Sequence, residues 1–293
     1  NPQQQRRCEH PVKEVQREVP EENGRNYNEL IFTNALGSTE ERLYACVRRV
    51  VFDSKIVSFH HGAVGLMTYY RYMLPVADMT ISDLDICFNR YEASYCESCI
   101  KHVNPLYAFV SWWPEVGAWF PGVARSIVRN YWKINGNSRL VLYAPTRFKE
   151  GYIFLPDGFQ DLEYWDLMQC IVLEGMQSDN FTGVVKLHKK GITAEGAKPA
   201  YYSGRTYPFE EVELPSNVTL LDDPDLTYSR HSADIIIIDR ATSTIGWALA
   251  SKAVVVYVSI ASSPLEEEIF EILDDSIFLI DASREGWVDA LKI

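Results

Sequence analysis

The sequence predicts an α/β protein built from two consecutive doubly wound domains. Short apolar runs of strand length alternate with longer helical segments, which is the pattern of βαβ units and of a parallel sheet. The series occurs twice along the 293 residues, and this length exceeds the roughly 100–200 residues of a usual single domain. Polar side chains follow several of the strands, at the edge where a doubly wound sheet binds its ligands.

The composition is that of a folded protein with an acidic balance. Hydrophobic residues make up 47% of the chain, charged residues make up 23%, and the formal net charge is −12. Such a chain does not have the basic face of a general nucleic-acid binder, so no nucleic-acid partner is expected. The longest apolar runs are shorter than the roughly 18–20 residues of a membrane-spanning helix. The six cysteines follow neither a disulfide nor a zinc spacing, which favours a reducing, cytoplasmic location.

The first predicted domain covers residues 29–137 and follows a polar lead-in or linker, residues 1–28. Its predicted strands are 30–33, 55–59 and 85–88, with 108–113 as a further strand, and its predicted helices are 40–51, 66–72 and 91–102. Residues 114–137 are rich in Pro, Gly, Trp and Asn, and we interpret them as the crossing between the two domains.

The second predicted domain covers residues 138–293 and repeats the alternation. Its predicted strands are 139–143, 183–187, 218–221, 235–238, 253–258 and 277–280, and its predicted helices are 161–176, 226–232, a helix that begins at Thr242, and 264–273. Because consecutive strands are separated by helices or long connections, the sheet is predicted to be parallel, with the carboxyl ends of its strands at one edge.

The motif around residues 235–238 is the strongest sign of a ligand site. Four consecutive isoleucines predict a buried strand that ends at Asp239. Thr242, Ser243 and Thr244 then begin a helix, and the free amide and hydroxyl groups of such a start bind anions. An ordinary Ser/Thr helix cap would give the same pattern. Because the triplet follows a buried strand of the second half, we expect it to bind phosphate.

A histidine with cationic neighbours follows another strand of the second half. His188 stands at the end of the predicted strand 183–187, and Lys189 and Lys190 come directly after it. A histidine in this position can donate to a phosphate oxygen or protonate a leaving phosphate, and a lysine can offset the negative charge. The alternative is a basic surface loop. We expect His188 to have the functional role.

A second histidine site follows the strand 55–59 of the first half. His60 and His61 precede Gly62, and an imidazole there can act as general base toward an acceptor hydroxyl. Adjacent residues of an extended segment point in opposite directions, so one of the two histidines can belong to the packing. Of the two, we favour His61, which is next to the glycine.

Together these motifs resemble those of bacterial surface-polysaccharide transferases with the GT-B fold. The order is His61-Gly62, then the Tyr-Ala-Pro-Thr that ends at Thr146, then Lys-Leu-His188, and then Ala-Asp-Ile-Ile-Ile-Ile-Asp239 before a Ser/Thr helix start. The nearest patterns are those of CMP-Kdo transferases and CDP-glycerol glycerophosphotransferases. The resemblance covers residues 55–260 and implies two Rossmann-like domains that face a cleft.

The resemblance also implies how the donor is held. It assigns the donor phosphate to His188, Ser243 and Thr244, and we add Thr242 from the same triplet, Lys189 for its charge, and Thr146 from the Tyr-Ala-Pro-Thr motif. Lys189 replaces the proline that usually follows the histidine in these families. Ala63-Val64 replaces the Thr-Pro that follows His-Gly in the glycerophosphotransferases.

The resemblance to Kdo transferases also implies a carboxylate that acts as the nucleophile. The retaining Kdo transferases are thought to use a carboxylate near the cleft, and Asp157, in Leu-Pro-Asp-Gly, is the candidate in this sequence. A partner acid from the first half would be Glu40 or Glu41, with Glu41 preferred, and paired carboxylates can run a double displacement with retention. An Asp-Gly after proline is also a common plain turn.

The resulting functional prediction is a glycosyltransferase. It would move Kdo or a related acidic sugar from a cytidine-nucleotide donor to a glycan or lipid-linked acceptor in surface polysaccharide synthesis, in the cytoplasm or in peripheral association with the inner face of the membrane. The alternatives are a CDP-glycerol glycerophosphotransferase, a nucleotide-sugar epimerase and a non-catalytic glycan-binding domain. No cofactor and no metal are expected, because the Asp-Leu-Asp at Asp83 enters a strand.

Overall fold

The computed structural model describes the central sheets of both halves of the chain. The described residues are 30–34, 39–52, 54–59, 82–87, 90–100, 123–145, 161–186, 209, 212–221, 226–260, 265, 267–273 and 275–292.

The described part of the first half is a parallel sheet of three strands with two helices. The elements are β1 (Leu30–Asn34), α1 (Thr39–Phe52), β2 (Lys55–Phe59), β3 (Leu84–Ile86) and α2 (Arg90–Ile100). The strand order is β1-β2-β3, and both neighbouring pairs run parallel. All three strands and both helices lie where the hydrophobic pattern predicts them, with their ends shifted by no more than two residues.

Both acidic residues of the Asp83-Leu-Asp85 motif are bound within the protein. The Asp83 carboxylate accepts hydrogen bonds from Arg49 at 2.8 Å and from the backbone N–H of Ile56 at 2.9 Å. The Asp85 carboxylate accepts a hydrogen bond from the buried Ser58 hydroxyl at 2.5 Å. Among the residues that the structure describes, no group of three or more His, Cys, Asp and Glu side chains is arranged to hold a metal ion.

The second half contains a parallel sheet of six strands. The elements are α3 (Arg125–Tyr131), β4 (Arg139–Ala144), α4 (Asp161–Gln169), β5 (Phe181–Lys186), β6 (Val218–Leu221), α5 (Leu226–Ser229), β7 (Ile235–Ile238), α6 (Ser243–Leu249), β8 (Val254–Ser259), α7 (Glu267–Leu273) and β9 (Phe278–Asp281). The strand order is β6-β5-β4-β7-β8-β9. All six predicted strands are present, with ends shifted by at most two residues.

Both faces of this sheet are buried, which explains why its strands are continuous apolar runs. On one face, Leu142 of β4 and Ile236 of β7 pack with helices α3, α6 and α7. On the other face, Val141 of β4 and Ile237 of β7 pack with α4 and the segment after it. Because successive side chains of a strand alternate between faces, a run such as the four isoleucines of β7 contributes to both cores.

Three helical features of the second half differ from the prediction. The segment interpreted as a domain crossing contains α3, whose buried Val128 packs in the core of the six-stranded sheet together with Trp132. The single helix predicted over 161–176 is α-helical only to Gln169 and continues as a π-helix, Cys170–Gly175. A 3₁₀-helix, Trp287–Leu291, that the pattern does not predict packs on the same face through the buried Leu291.

A network of ion pairs and hydrogen bonds lies at the amino-terminal edge of the six-stranded sheet. The Arg129 side chain, 1% exposed, donates to the Asp234 carboxylate at 2.8 Å and to the backbone oxygens of Ser232, Gly136 and Ser138. Asp234 also accepts from the backbone N–H of Leu140, the second residue of β4. The network therefore connects α3 to the starts of the two central strands, β4 and β7.

No helix within the described ranges is both long enough and apolar enough to cross a membrane.

Candidate functional site

The centre of the six-stranded sheet is a topological switch point. From β4 the chain continues to β5 and β6 on one side, and from β7 it continues to β8 and β9 on the other, while β4 and β7 are direct neighbours. This is the 3-2-1-4-5-6 order of nucleotide-binding doubly wound sheets, which bind ligands in the crevice beyond the carboxyl ends of the two central strands. Ala144 and Ile238, the last residues of these strands, are paired across the sheet.

The β7–α6 loop, residues 239–242, enters α6 at this switch point. Thr242 is the N-cap of α6, and its Oγ1 accepts from the backbone N–H of Thr244 at 3.4 Å. The same hydroxyl donates to Thr244 Oγ1 at 3.2 Å. Both threonines are half-buried at the carboxyl edge. Of the two interpretations of the triplet, the helix cap is therefore present at Thr242, and the phosphate role stays a prediction.

The first residue of this loop belongs to a buried cluster of one carboxylate and two tyrosines. Asp239, 1% exposed, follows β7 and lies on the same face of the sheet as Ile237, as the alternation of a strand requires. Its Oδ2 accepts one hydrogen bond from the hydroxyl of Tyr143 on β4 at 2.5 Å and another from the hydroxyl of Tyr164 on α4 at 2.8 Å. Three elements, β4, α4 and the end of β7, therefore meet at one carboxylate oxygen.

A third buried tyrosine lies near this loop on the other face of the sheet. Tyr257 of β8 belongs to the core on that side, and the nearby Ala241 backbone opposes the rise in the pKa of its hydroxyl that burial causes. The β7–α6 loop therefore lies between buried tyrosines of both faces.

The buried hydroxyls of Tyr143 and Tyr257 have raised pKa values. Burial is the largest cause that raises the pKa of Tyr143 far above its ordinary value, and the neighbouring charge of Asp239 raises the pKa further. Burial, followed by the charge of Asp239, also raises the pKa of Tyr257. Both hydroxyls therefore keep their protons at neutral pH, and the Tyr143 hydroxyl donates to the Asp239 carboxylate. Asp239 is 1% exposed and is therefore enclosed by protein.

Two cavities within the described residues lie away from the switch point. The larger, about 520 Å³, lies along β8 and β9, and a second of about 370 Å³ lies at the amino-terminal edge beside Arg139 and Asp234. Because ligands of doubly wound sheets bind at the carboxyl edge, we take the switch point, and neither cavity, as the candidate site.

The structure describes only some of the residues that the sequence nominates. Glu41 lies in the first turn of α1, Ser243 is the first residue of α6, and Thr242 and Thr244 form the cap described above. The remaining nominated residues lie outside the described residues, each in the chain after a described strand: His61 after β2, Thr146 and Asp157 after β4, and His188 and Lys189 after β5. Their proposed roles therefore stay predictions.

The sequence did not nominate the tyrosines of the cluster. Tyr143 and Tyr164 are 96 and 75 residues away from Asp239 along the chain, and local patterns contain no information on such pairings. One sign was available, because Asp239 follows four isoleucines without a break and a charged residue there must find buried partners.

The comparisons with known proteins show the fold. No protein-family model and no curated protein sequence matches the chain. Among solved structures, the chain is similar to the S. aureus MnaA–UDP co-structure, with 12% identity, a TM-score of 0.52 and coverage of 90% of this chain and 66% of that one. It is also similar to a putative UDP-N-acetylglucosamine 2-epimerase from Listeria monocytogenes, with 13% identity, a TM-score of 0.50 and coverage of 89% and 64%.

A third similar structure is CalG4, the calicheamicin glycosyltransferase, with 11% identity, a TM-score of 0.46 and coverage of 90% of this chain and 65% of that one. The chain spans about two thirds of the length of each of these proteins. The predicted fold class is confirmed: the protein is α/β, with parallel sheets of the two-domain Rossmann-like type found in GT-B glycosyltransferases and in UDP-N-acetylglucosamine 2-epimerases.

Proposed function

We propose that the protein is a glycosyltransferase that uses a nucleotide-activated sugar, with the nucleotide bound at the switch point between β4 and β7. The observation that supports this most is the strand order β6-β5-β4-β7-β8-β9, because it places the polar β7–α6 loop in the crevice where doubly wound sheets bind nucleotides. The order of motifs from His61 to Thr244 is the second support, since it resembles that of GT-B transferases.

The phosphate contacts follow from the chemistry of the loop. The hydroxyls of Thr242 and Thr244 lie together at the carboxyl edge and are only half-buried, so they can turn to donate to a phosphate. Ser243, Thr146, His188 and Lys189 complete the proposed donor site, with the histidine stabilising the leaving phosphate and the lysine offsetting its charge.

Two observations favour different bases for the donor nucleotide. The motif resemblance favours a cytidine nucleotide and an acidic sugar such as Kdo. Two similar structures instead favour UDP, because one is a co-structure of MnaA with UDP and the other is a putative UDP-N-acetylglucosamine 2-epimerase. The first experiment should therefore include both uridine and cytidine nucleotides. The proposed acceptor is a glycan or a lipid-linked saccharide.

The proposed chemistry is sugar transfer by one of two routes. In a retaining reaction Asp157 would attack the anomeric carbon as the nucleotide departs, with Glu41 as the partner acid, and the acceptor hydroxyl would then displace the enzyme. In an inverting reaction His61 would remove the proton from the acceptor hydroxyl for direct displacement. The Asp157→Asn variant separates them, because an amide keeps the shape of the carboxylate but is a poor nucleophile.

Nucleotide binding is the test of this proposal. Isothermal titration with UDP, UMP, CDP and CMP should give saturable binding of at least one of them. The Thr244→Ala variant should weaken that binding about 10-fold, since a hydrogen bond to a charged group contributes roughly 1.5–3 kcal/mol. The helix cap survives this change because Thr242 accepts from the backbone, not the side chain, of Thr244.

The matched control is Thr219→Ala, which removes an exposed threonine hydroxyl from β6. Its nucleotide affinity should equal that of the unmodified protein. Absence of binding for all four nucleotides would reject the proposed function, and equal affinities for the Thr244→Ala and Thr219→Ala variants would remove the threonine from the phosphate site.

An epimerase is the second candidate, and one comparison favours it. The Listeria structure named as a putative UDP-N-acetylglucosamine 2-epimerase has a TM-score of 0.50. An epimerase changes the nucleotide sugar without any acceptor, whereas a transferase needs one. Proton NMR of UDP-N-acetylglucosamine incubated with the protein alone therefore distinguishes the two, because a new anomeric signal with an intact diphosphate would indicate epimerisation.

A further inference from the structure

The buried cluster of Asp239, Tyr143 and Tyr164 joins the two connections that flank the switch point. Asp239 begins the β7–α6 loop, and Tyr164 lies in the first turns of α4, the helix that follows β4. The two are 75 residues apart in sequence, and the Tyr164 hydroxyl reaches Asp239 Oδ2 at 2.8 Å. A single carboxylate oxygen thus connects the helix after one central strand to the loop after the other.

We propose that Asp239 is a positioning residue for nucleotide binding, which holds the β7–α6 loop in its binding conformation through Tyr143 and Tyr164. This inference rests on the proposed function, since it concerns the same switch point. Asp239 itself is enclosed, with 1% of its surface exposed, so it acts through the loop and makes no contact with the ligand.

The energetic reason lies in the burial of all three groups. Tyr143 is fully buried and Tyr164 is 3% exposed, so water cannot replace either hydroxyl as a donor to the carboxylate. A buried carboxylate that loses a donor is costly, and the loop can recover hydration only by moving Asp239 toward solvent. Removing one hydroxyl therefore favours loop conformations in which Thr242 and Thr244 are displaced.

The geometry also explains why the effect reaches the threonines. Only Arg240 and Ala241 separate Asp239 from the N-cap Thr242, and both of these residues are buried. A shift of Asp239 therefore moves the start of α6 directly. When the binding-competent conformation is populated less, the apparent dissociation constant rises by the same factor.

The test is the Tyr164→Phe variant, which removes one hydroxyl and keeps the buried ring. Isothermal titration at 10 °C with UDP, and separately with CMP, should show affinity about 10-fold weaker than that of the unmodified protein. Hydrogen exchange followed by mass spectrometry, without nucleotide, should show faster exchange in the peptide that covers residues 239–249. The Asp239→Asn variant should give the same two effects.

Two controls separate positioning from loss of stability. Tyr131→Phe changes a tyrosine that is 68% exposed at the end of α3 and should alter neither readout. Arg129→Met destabilises the opposite edge of the same sheet and should lower the melting temperature without changing nucleotide affinity at 10 °C.

The outcomes are distinguishable. Unchanged exchange of residues 239–249 in the Tyr164→Phe variant overturns the inference, whether or not a nucleotide binds. Nucleotide binding that is equal in the Tyr164→Phe variant and the unmodified protein also overturns it but leaves the proposed function standing. Failure of the unmodified protein to bind any nucleotide rejects the proposed function, and with it the role in binding assigned to Asp239.

Discussion

Replacing Arg129 tests how the six-stranded sheet is held together. In the Arg129→Met variant the aliphatic stem is kept, and the donors to Asp234 and to three backbone oxygens are lost. Removing one partner of a buried ion pair costs about 3–5 kcal/mol. Asp234 keeps Arg125 at 2.7 Å and the Leu140 N–H, and its side chain is 31% exposed. We therefore expect the lower end, about 3 kcal/mol.

This loss translates into a measurable shift in melting temperature. For a unit of roughly 150–250 residues, 1 kcal/mol corresponds to about 2–4 °C, so the Arg129→Met variant should melt about 6–12 °C lower. The matched control is Arg125→Met, whose side chain is 45% exposed in its pair with the same Asp234, and which should cost only about 0–1 kcal/mol. Thermal unfolding followed by far-ultraviolet circular dichroism measures both. Equal shifts for the two variants would refute the assigned importance of the buried arginine.

Three further outcomes follow from the structure. Burial alone would raise the pKa of Asp234, but the Leu140 N–H and the two arginines hold that pKa below its ordinary value. The ionised Asp234 therefore contributes fully to the free energy of unfolding above about pH 4, and this contribution is lost as the pH falls through the lowered pKa of the folded state. In the Asp234→Asn variant, the melting temperature should depend less on pH in this acidic range. Gly183→Ala should lower the free energy of unfolding in urea by about 1–3 kcal/mol, because the added Cβ would lie 2.8 Å from Cγ2 of Val218, a stiff side chain on the paired strand. An unchanged urea midpoint would show that β5 and β6 can move apart to accommodate the added methyl group. His188→Ala should lower the rate of sugar transfer about 10²-fold or more if this histidine stabilises the leaving phosphate, and a normal turnover number would make it a packing residue.

The strands of both sheets could be predicted because their signals are local. The four isoleucines of β7 and the apolar run of β8 are buried on both faces, so their composition alone distinguishes them from helices and loops. The parallel order followed from the helices between them. The helix Arg125–Tyr131 was missed because seven residues give too few turns for a periodic pattern, and its neighbours are rich in residues typical of loops.

The candidate site could be predicted only in part. Thr242, Ser243 and Thr244 were found because a Ser/Thr start after a buried strand is a contiguous motif. The carboxylate–tyrosine cluster was not found, because a hydrogen bond between Tyr164 and Asp239 depends on how α4 packs on the sheet, and no local pattern reports that packing. The change from α-helix to π-helix at Cys170 is likewise not marked in the sequence, because the six residues of the π-helix make little more than one turn and cannot show a period of their own.

The proposed function requires that a nucleotide binds at the carboxyl edge between β4 and β7. A crystal structure of the protein soaked with UDP or CMP, whichever binds more tightly in titration, tests it most directly. We expect phosphate density within hydrogen-bonding distance of the hydroxyls of Thr242 and Thr244, above the Asp239 cluster. Nucleotide density at the amino-terminal edge, or in the cavity along β8 and β9, would contradict it.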